Sequence, residues 1–198
     1  MTVGTSPGPI ECFGHAWQQL KLAFVPMLVV TTGWAIAGAV AGRVPPGWAK
    51  LFVQALFAGP IGIGAMGAAL RVARGETPGP GDLLTAFRRD WAQAALLCLL
   101  LGCAVALGSM LLVVPGIWIG LRLSWAPYLF LDERLEAVDA VRESFRRTRG
   151  HAVALLGLWA ISAAVVAVGL ALLLVGAIPA TAWAQTALAA YYLGARGR

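Results

Sequence analysis

Arg122 is the residue whose type and placement could do chemistry. It stands in an apolar run, seven positions past Pro115 and ten before Asp132. On a helix rising about 1.5 Å per residue, that puts it roughly 10–15 Å from either end. An arginine at such depth in a membrane is costly and needs partners. No acid shares its depth. The candidates are Trp125, three residues on, through a cation–π contact, then Gln54, Gln185, Ser124, Ser162 and the carbonyls freed near Pro60. Two readings stand. Arg122, Trp125, Gln54 and Gln185 form a site for an anion or lipid headgroup, or Arg122 snorkels to the inner face and clamps backbone carbonyls.

Other chemistry finds no constellation. His15 and His151 are the only histidines, and neither has a second ligand at metal spacing. No metal and no cofactor is expected. The apolar runs hold no acid, so there is no aspartyl pair and no proton relay. Gly-x-Ser-x-Gly, a Walker loop and His-Glu-x-x-His are all missing. His151, near Glu143 and Arg147, reads as an interfacial polar residue. Cys98 and Cys103 lie about 140° apart around one helix and cannot bridge; Cys12 falls where thiols stay reduced. The sequence therefore points away from an enzyme.

The elements that must position these residues are set by hydrophobicity. The chain has 198 residues, 60% hydrophobic and 12% charged, with mean hydropathy +0.79. A soluble domain of this length could not hide that apolar surface, whereas a bilayer can. The pattern predicts one all-α membrane domain over residues 1–198 with six spans. They are Leu22–Gly42, Gly47–Arg71, Trp91–Val113, Val114–Leu131, Val153–Leu174 and Ala177–Leu193. Met1–Pro9 carries no basic residue and two prolines, so the first span is expected to act as an uncleaved anchor.

Charge sets the expected orientation. With the N-terminus inside, the inner segments hold Lys21, Arg71, Arg74, Arg88, Arg89, Arg134, Arg142, Arg146, Arg147, Arg149, Arg196 and Arg198. The outer loops hold only Arg43 and Lys50, and the acids all fall inside. The positive-inside rule then predicts both termini in the cytoplasm. The net charge of +6 is not read as nucleic-acid binding. Its nearest partners are anionic headgroups, facing Arg88, Arg89, Arg146, Arg147 and Arg149 above all.

Three short amphipathic segments precede spans. Their apolar faces are Ile10, Phe13, Trp17 and Leu20; Leu83, Leu84, Phe87 and Trp91; and Leu135, Val138, Val141 and Phe145. Each is expected to lie in the inner interface. Two of them share a Phe-Arg-Arg triplet, at Phe87 and Phe145. The organisation suggests a threefold parallel repeat with units near 10–73, 82–131 and 135–194, although any hairpin with a basic inner edge would look similar. Asp82 is the expected N-cap of the second segment, and Gly150 the expected end of the third. Small residues should seat neighbouring helices, notably Gly38 and Gly42 on the first span and Gly64 and Ala68 on the second. Pro60 should kink that second span. Trp17, Trp91, Tyr128, Tyr191 and Tyr192 are expected in an inner aromatic belt, and Trp48, Trp118 and Trp183 in an outer one.

Pro115-Gly-Ile-Trp-Ile-Gly-Leu-Arg-Leu-Ser-Trp-Ala-Pro127, Asp132-Glu133, and the stretch from Ala137 to His151 carry a resemblance. So do Pro60, Arg74-Gly-Glu76 and Asp82-Leu-Leu-Thr-Ala-Phe87. The chain resembles a group of uncharacterised bacterial six-span membrane proteins, similar to the membrane domain fused to some glycerophosphodiester phosphodiesterases. The resemblance covers about residues 10–195, and its motifs are mostly turn and interfacial-helix grammar. The phosphodiesterase domain has no counterpart here, so that activity does not carry over. What the resemblance implies is a stand-alone module of the bacterial inner membrane. From its own interfacial helices and small-residue faces, the chain is expected to bind a partner protein, a second copy or anionic lipid. A small-solute or lipid transport component with a site at Arg122 is the alternative. A lipid-acting enzyme would need His151 or Arg122 beside an inner-leaflet cavity.

Overall fold

The computed structural model describes residues 9–45, 48–111, 113–171 and 176–196. The expected span ends Gly47 and Leu174, the basic Arg198 and the first eight residues of Met1–Pro9 lie outside them. The described elements are helical. They are α1 (Pro9–Leu22), α2 (Phe24–Gly42), α3 (Trp48–Val53), α4 (Gly59–Ala73), α5 (Thr85–Leu111), α6 (Val113–Leu123), α7 (Ala126–Asp132), α8 (Ala137–Arg147), α9 (Ala152–Ala171) and α10 (Ala177–Arg196). A π-helical turn, Gln54–Ala58, joins α3 to α4, and a 3-10 turn, Pro80–Leu84, leads into α5.

Four segments are long and apolar enough to cross a membrane: Phe24–Gly42, Gln54–Ala73, Pro80–Met110 and Ala152–Ala171. They fall on the first, second, third and fifth expected spans. On α2, α5 and α9 they present large apolar side chains outward, among them Val25, Ile36, Leu99, Leu107, Met110, Val153 and Val168. Faces of that extent are compatible with a lipid surround.

The expected fourth span is two short helices rather than one. The α6 helix ends at Leu123 and α7 begins at Ala126. Pro127 has no N–H to give the Leu123 carbonyl, so the helix must break there. The consequence for Arg122 is direct: it sits in the last turn of α6, not in the middle of a span. The expected sixth span, α10, has 20 residues but is not among the four apolar segments. Its position explains its composition. Ala182, Ala187, Ala189, Ala190, Tyr191 and Tyr192 are all buried, and α10 packs against α1, α2, α4 and α9. Small side chains let four neighbours approach it, and a helix wrapped by protein needs less hydrocarbon of its own.

Of the three amphipathic segments, α1 seats its apolar face on this bundle, whereas Leu84, Trp91 and Val138 of the other two are exposed and α8 buries Ala137, Ala140 and Ser144 instead. On α1, Cys12, Phe13, Ala16 and Leu20 are buried. Trp183 Nε1 donates to the Phe13 carbonyl at 3.0 Å. The Trp17 and Trp183 rings are 5.0 Å apart, so they share one depth and do not mark opposite faces of a membrane. The reason is that α1 packs on α10, α9 and α4. Tyr128, Tyr191 and Tyr192 likewise belong to the core and not to a belt. The second segment is separated from its span by Asp90, whose φ of −165° and ψ of 94° interrupt α5. The Asp90 carboxylate accepts from Gln93 N–H at 3.1 Å, an N-cap that restarts the helix.

Gly64 and Ala68 lie at close helix contacts. A Cβ on Gly64 would lie 2.7 Å from the Asp82 carbonyl oxygen, so only glycine lets α4 meet the 3-10 turn. Gly38 and Gly42 have open space around them. Pro60 falls just after the π-helical turn and cannot donate to the Leu56 carbonyl. Trp91 Nε1 donates to that carbonyl instead, at 2.9 Å.

Candidate functional site

The arginines converge where α4 ends, α5 begins and α7 ends. Three of them hold the C-terminal turn of α7, each from a different helix. Arg74, which caps α4, pairs with the Asp132 carboxylate. Arg89 of α5 donates to the Phe130 carbonyl and stacks on its ring, 4.7 Å from the centroid. Arg147 of α8 takes both Glu133 carboxylate oxygens, at 2.6 and 2.9 Å. Cations at a helix C-terminus meet its negative dipole end and its unpaired carbonyls. Behind this turn, Tyr192 Oη donates to the second Asp132 oxygen at 3.4 Å. Tyr192 in turn stacks on Tyr128, 5.4 Å between centroids.

Between these elements lies an open cleft of about 640 Å³. Arg71, Arg74, Arg88, Arg89 and Arg134 line it, facing Asp82 and Asp132, with Leu70 and Leu131 as an apolar wall. Arg71 is taken by Glu76 and Asp82, at 3.0 and 2.7 Å. Asp82 is not the N-cap: it stands three residues in and accepts from Gly79 N–H at 2.9 Å. Its other oxygen is thereby free to hold Arg71. Arg88 and Arg134 form no hydrogen bond or ion pair among the described residues. Arg134 has φ +55°, the left-handed region.

Arg146 and Arg147 stand on α8, where both pair with Glu143. The Arg146 guanidinium, with Arg147 beside it, holds the Glu143 carboxyl below the usual carboxylate range. Arg149 is exposed in the turn that follows, which Gly150 completes with φ +92°.

Arg122 has different partners from those its spacing suggests. Its guanidinium lies 5.1 Å from the Trp118 ring and 6.0 Å from Phe145. Trp125 instead packs among His151, Tyr191 and Tyr192, at 5.7–6.1 Å between centroids. Residue i−4 wins over i+3 because the helix ends between Arg122 and Trp125. The Arg122 carbonyl accepts from Ser144 Oγ at 2.6 Å, and its Nε is buried without a hydrogen bond. Gln54 is exposed in the π-helical turn. Gln185 lies on α10, where its carbonyl meets Tyr128 Oη at 3.5 Å. Among the described residues, no hydrogen bond or cation–π contact joins Arg122 to Trp125, Gln54 or Gln185.

Sequence reasoning placed Arg88 and Arg89 on the basic edge but did not assemble the cleft. It required knowing that α7 is a separate helix ending at Asp132. The signal was Pro127, which marks the break. Comparison with protein-family models, curated proteins and solved structures finds no match.

Proposed function

We propose that this chain is a non-enzymatic module of the bacterial inner membrane that binds an anionic group in the arginine-lined cleft. The observation that carries the reading is that Arg88 and Arg134 line the cleft with no hydrogen bond or ion pair among the described residues. Unpaired arginines at a membrane-proximal edge attract phosphate-bearing headgroups. The positive-inside bias puts this end, and both termini, in the cytoplasm, with α6–α7 and α10 completing six spans. The likeness of the two Phe-Arg-Arg segments favours repeated units: Arg89 and Arg147, the last residue of each triplet, both reach the end of α7. Gly38 and Gly42, open on α2, suit close approach by a partner helix or a second copy. The resemblance to the uncharacterised six-span group is part of the same reading. A second site at Arg122, for a small anion, is favoured by its buried and unpaired Nε.

Native mass spectrometry tests the main reading. The protein is released from mixed phosphatidylethanolamine and anionic lipid, wild type beside an Arg88→Gln, Arg134→Gln double variant. Anionic adducts on the wild type that fall in the variant support it. Equal adducts on both refute it. Loss of the adduct in Arg122→Ala instead moves the site to Arg122.

A further inference from the structure

Three helices end in a residue with left-handed backbone or a turn completed by one. After α4 it is Gly75, φ +83°, and after α8 it is Gly150, φ +92°. Glycine is the ordinary choice, because an L side chain in that region crowds its own carbonyl. After α7 the same role falls to Arg134, φ +55°. It follows the C-cap Glu133 directly. An arginine gains nothing there for the backbone. Nor does its side chain offset the strain through a hydrogen bond or ion pair to any described residue. What the position does give is placement: Arg134 lines the cleft, as Arg88 does from the start of α5.

The other cleft arginines are committed. Arg71 is held by Glu76 and Asp82, Arg74 by Asp132, and Arg89 by the Phe130 carbonyl and ring. The five arginines exceed the two aspartates in the lining by three charges. Counting Glu76, which also holds Arg71, and Asp90, whose charge acts on Arg89, the cleft is still cationic. A ligand that balances it is therefore an anion. Two guanidinium forks on different elements each take a pair of oxygens, and a phosphodiester has only two terminal oxygens for both to share. A phosphomonoester has three terminal oxygens and a charge near −2 at neutral pH.

Resting on the anion reading above, we infer that Arg88 and Arg134 form a pair that selects a phosphomonoester over a phosphodiester, and that Arg134 keeps a strained backbone for that purpose. The shared chemistry fits a lipid headgroup or free phosphate, with Leu70 and Leu131 flanking the cleft.

The test uses the full chain in detergent with three probes: phosphatidic acid, phosphatidylglycerol and inorganic phosphate. Binding is measured by native mass spectrometry and calorimetry for wild type, Arg134→Gly and Arg88→Gln. The expected result is a preference of about tenfold for phosphatidic acid over phosphatidylglycerol, one charge-assisted pair's worth. Either substitution should remove that preference. Arg134→Gly should at the same time raise the unfolding temperature by about 2–4 °C, since it relieves strain. Binding of phosphatidic acid but not inorganic phosphate supports the pair and assigns it to lipid. Inorganic phosphate bound and lost in both variants supports it and assigns it to a soluble ligand. Equal retention of phosphatidylglycerol overturns the monoester inference while leaving the anion reading standing. A lower unfolding temperature for Arg134→Gly shows that Arg134 serves the fold and overturns its assigned role. If none of the three probes binds, the anion reading itself fails.

Discussion

Trp91→Phe should destabilise the fold through one carbonyl. Pro60 cannot donate to Leu56 O, and the indole Nε1 supplies that bond at 2.9 Å. Interhelical hydrogen bonds in membranes average about 0.6 kcal/mol and reach about 1.7. The Leu56 carbonyl belongs at the upper end, because its natural donor is missing. Trp91 itself is 43% exposed, so the packing lost with the smaller ring is modest. A cost of about 1–2 kcal/mol follows. The assay is reversible unfolding by dodecyl sulfate in mixed micelles, followed by circular dichroism so that the lost tryptophan does not distort the signal. The control is the same substitution in a Pro60→Ala background. An alanine at that position restores an N–H for Leu56 O, so Trp91→Phe should then cost less by at least about 0.5 kcal/mol, the lower end of a real coupling. An identical cost in both backgrounds would refute the argument: the indole would be acting by packing alone.

Gly64→Ala should cost about 1–3 kcal/mol, because its methyl meets the backbone of Asp82 and Leu83. Gly38→Ala, with nothing within 4 Å, should be near neutral in the isolated chain; thermal unfolding of the two side by side checks both. Glu133→Gln breaks the paired bonds from Arg147 and should cost about 1 kcal/mol, the upper range for a partly exposed pair, read from the same unfolding curves. Glu143 has its pKa lowered in the folded state. Its ion pairs thus add stability above the ordinary carboxylate range, and that stability is lost as pH falls through the lowered value. The opening free energy of α8, read by hydrogen exchange and corrected for the intrinsic pH dependence of exchange, should be flat near neutrality and fall only in acid. A change between about pH 6 and pH 8 would contradict the assignment.

The apolar runs are legible because a helix fit to cross a membrane must be apolar along its length. Four long apolar segments lie where hydropathy puts them. The Asp90 interruption, which divides the second amphipathic segment from its span, is marked in the change from Phe-Arg-Arg-Asp to apolar residues. What escapes is tertiary. Nothing local says that Tyr128, Tyr191 and Tyr192 lie together in the core, since an interfacial tyrosine has the same neighbours in sequence. The depth of Arg122 is misread when the run through Pro127 is taken as continuous helix. By spacing, Trp17 and Trp183 belong to opposite faces, and only the packing of α1 on α10 brings them together. The arginine cleft draws on residues 67–89 and 131–134, and no spacing rule connects those segments.

The hold on the end of α7 gives three arginines two duties at different times. On the proposed orientation, Arg74, Arg89 and Arg147 are part of the charge that keeps the inner loops from crossing while the chain is being inserted. In the finished fold the same guanidiniums are engaged by Asp132, by the Phe130 carbonyl and by Glu133. A substitution among them therefore disturbs both the decision about which way the chain threads and the assembly that follows. Arg88 and Arg134 serve only the first duty and the cleft. Exchanging either for lysine keeps the threading charge and leaves the helix contacts alone. On the proposed reading, selection can thus retune the cleft's ligand at those two positions without changing how the chain threads or how its helices join.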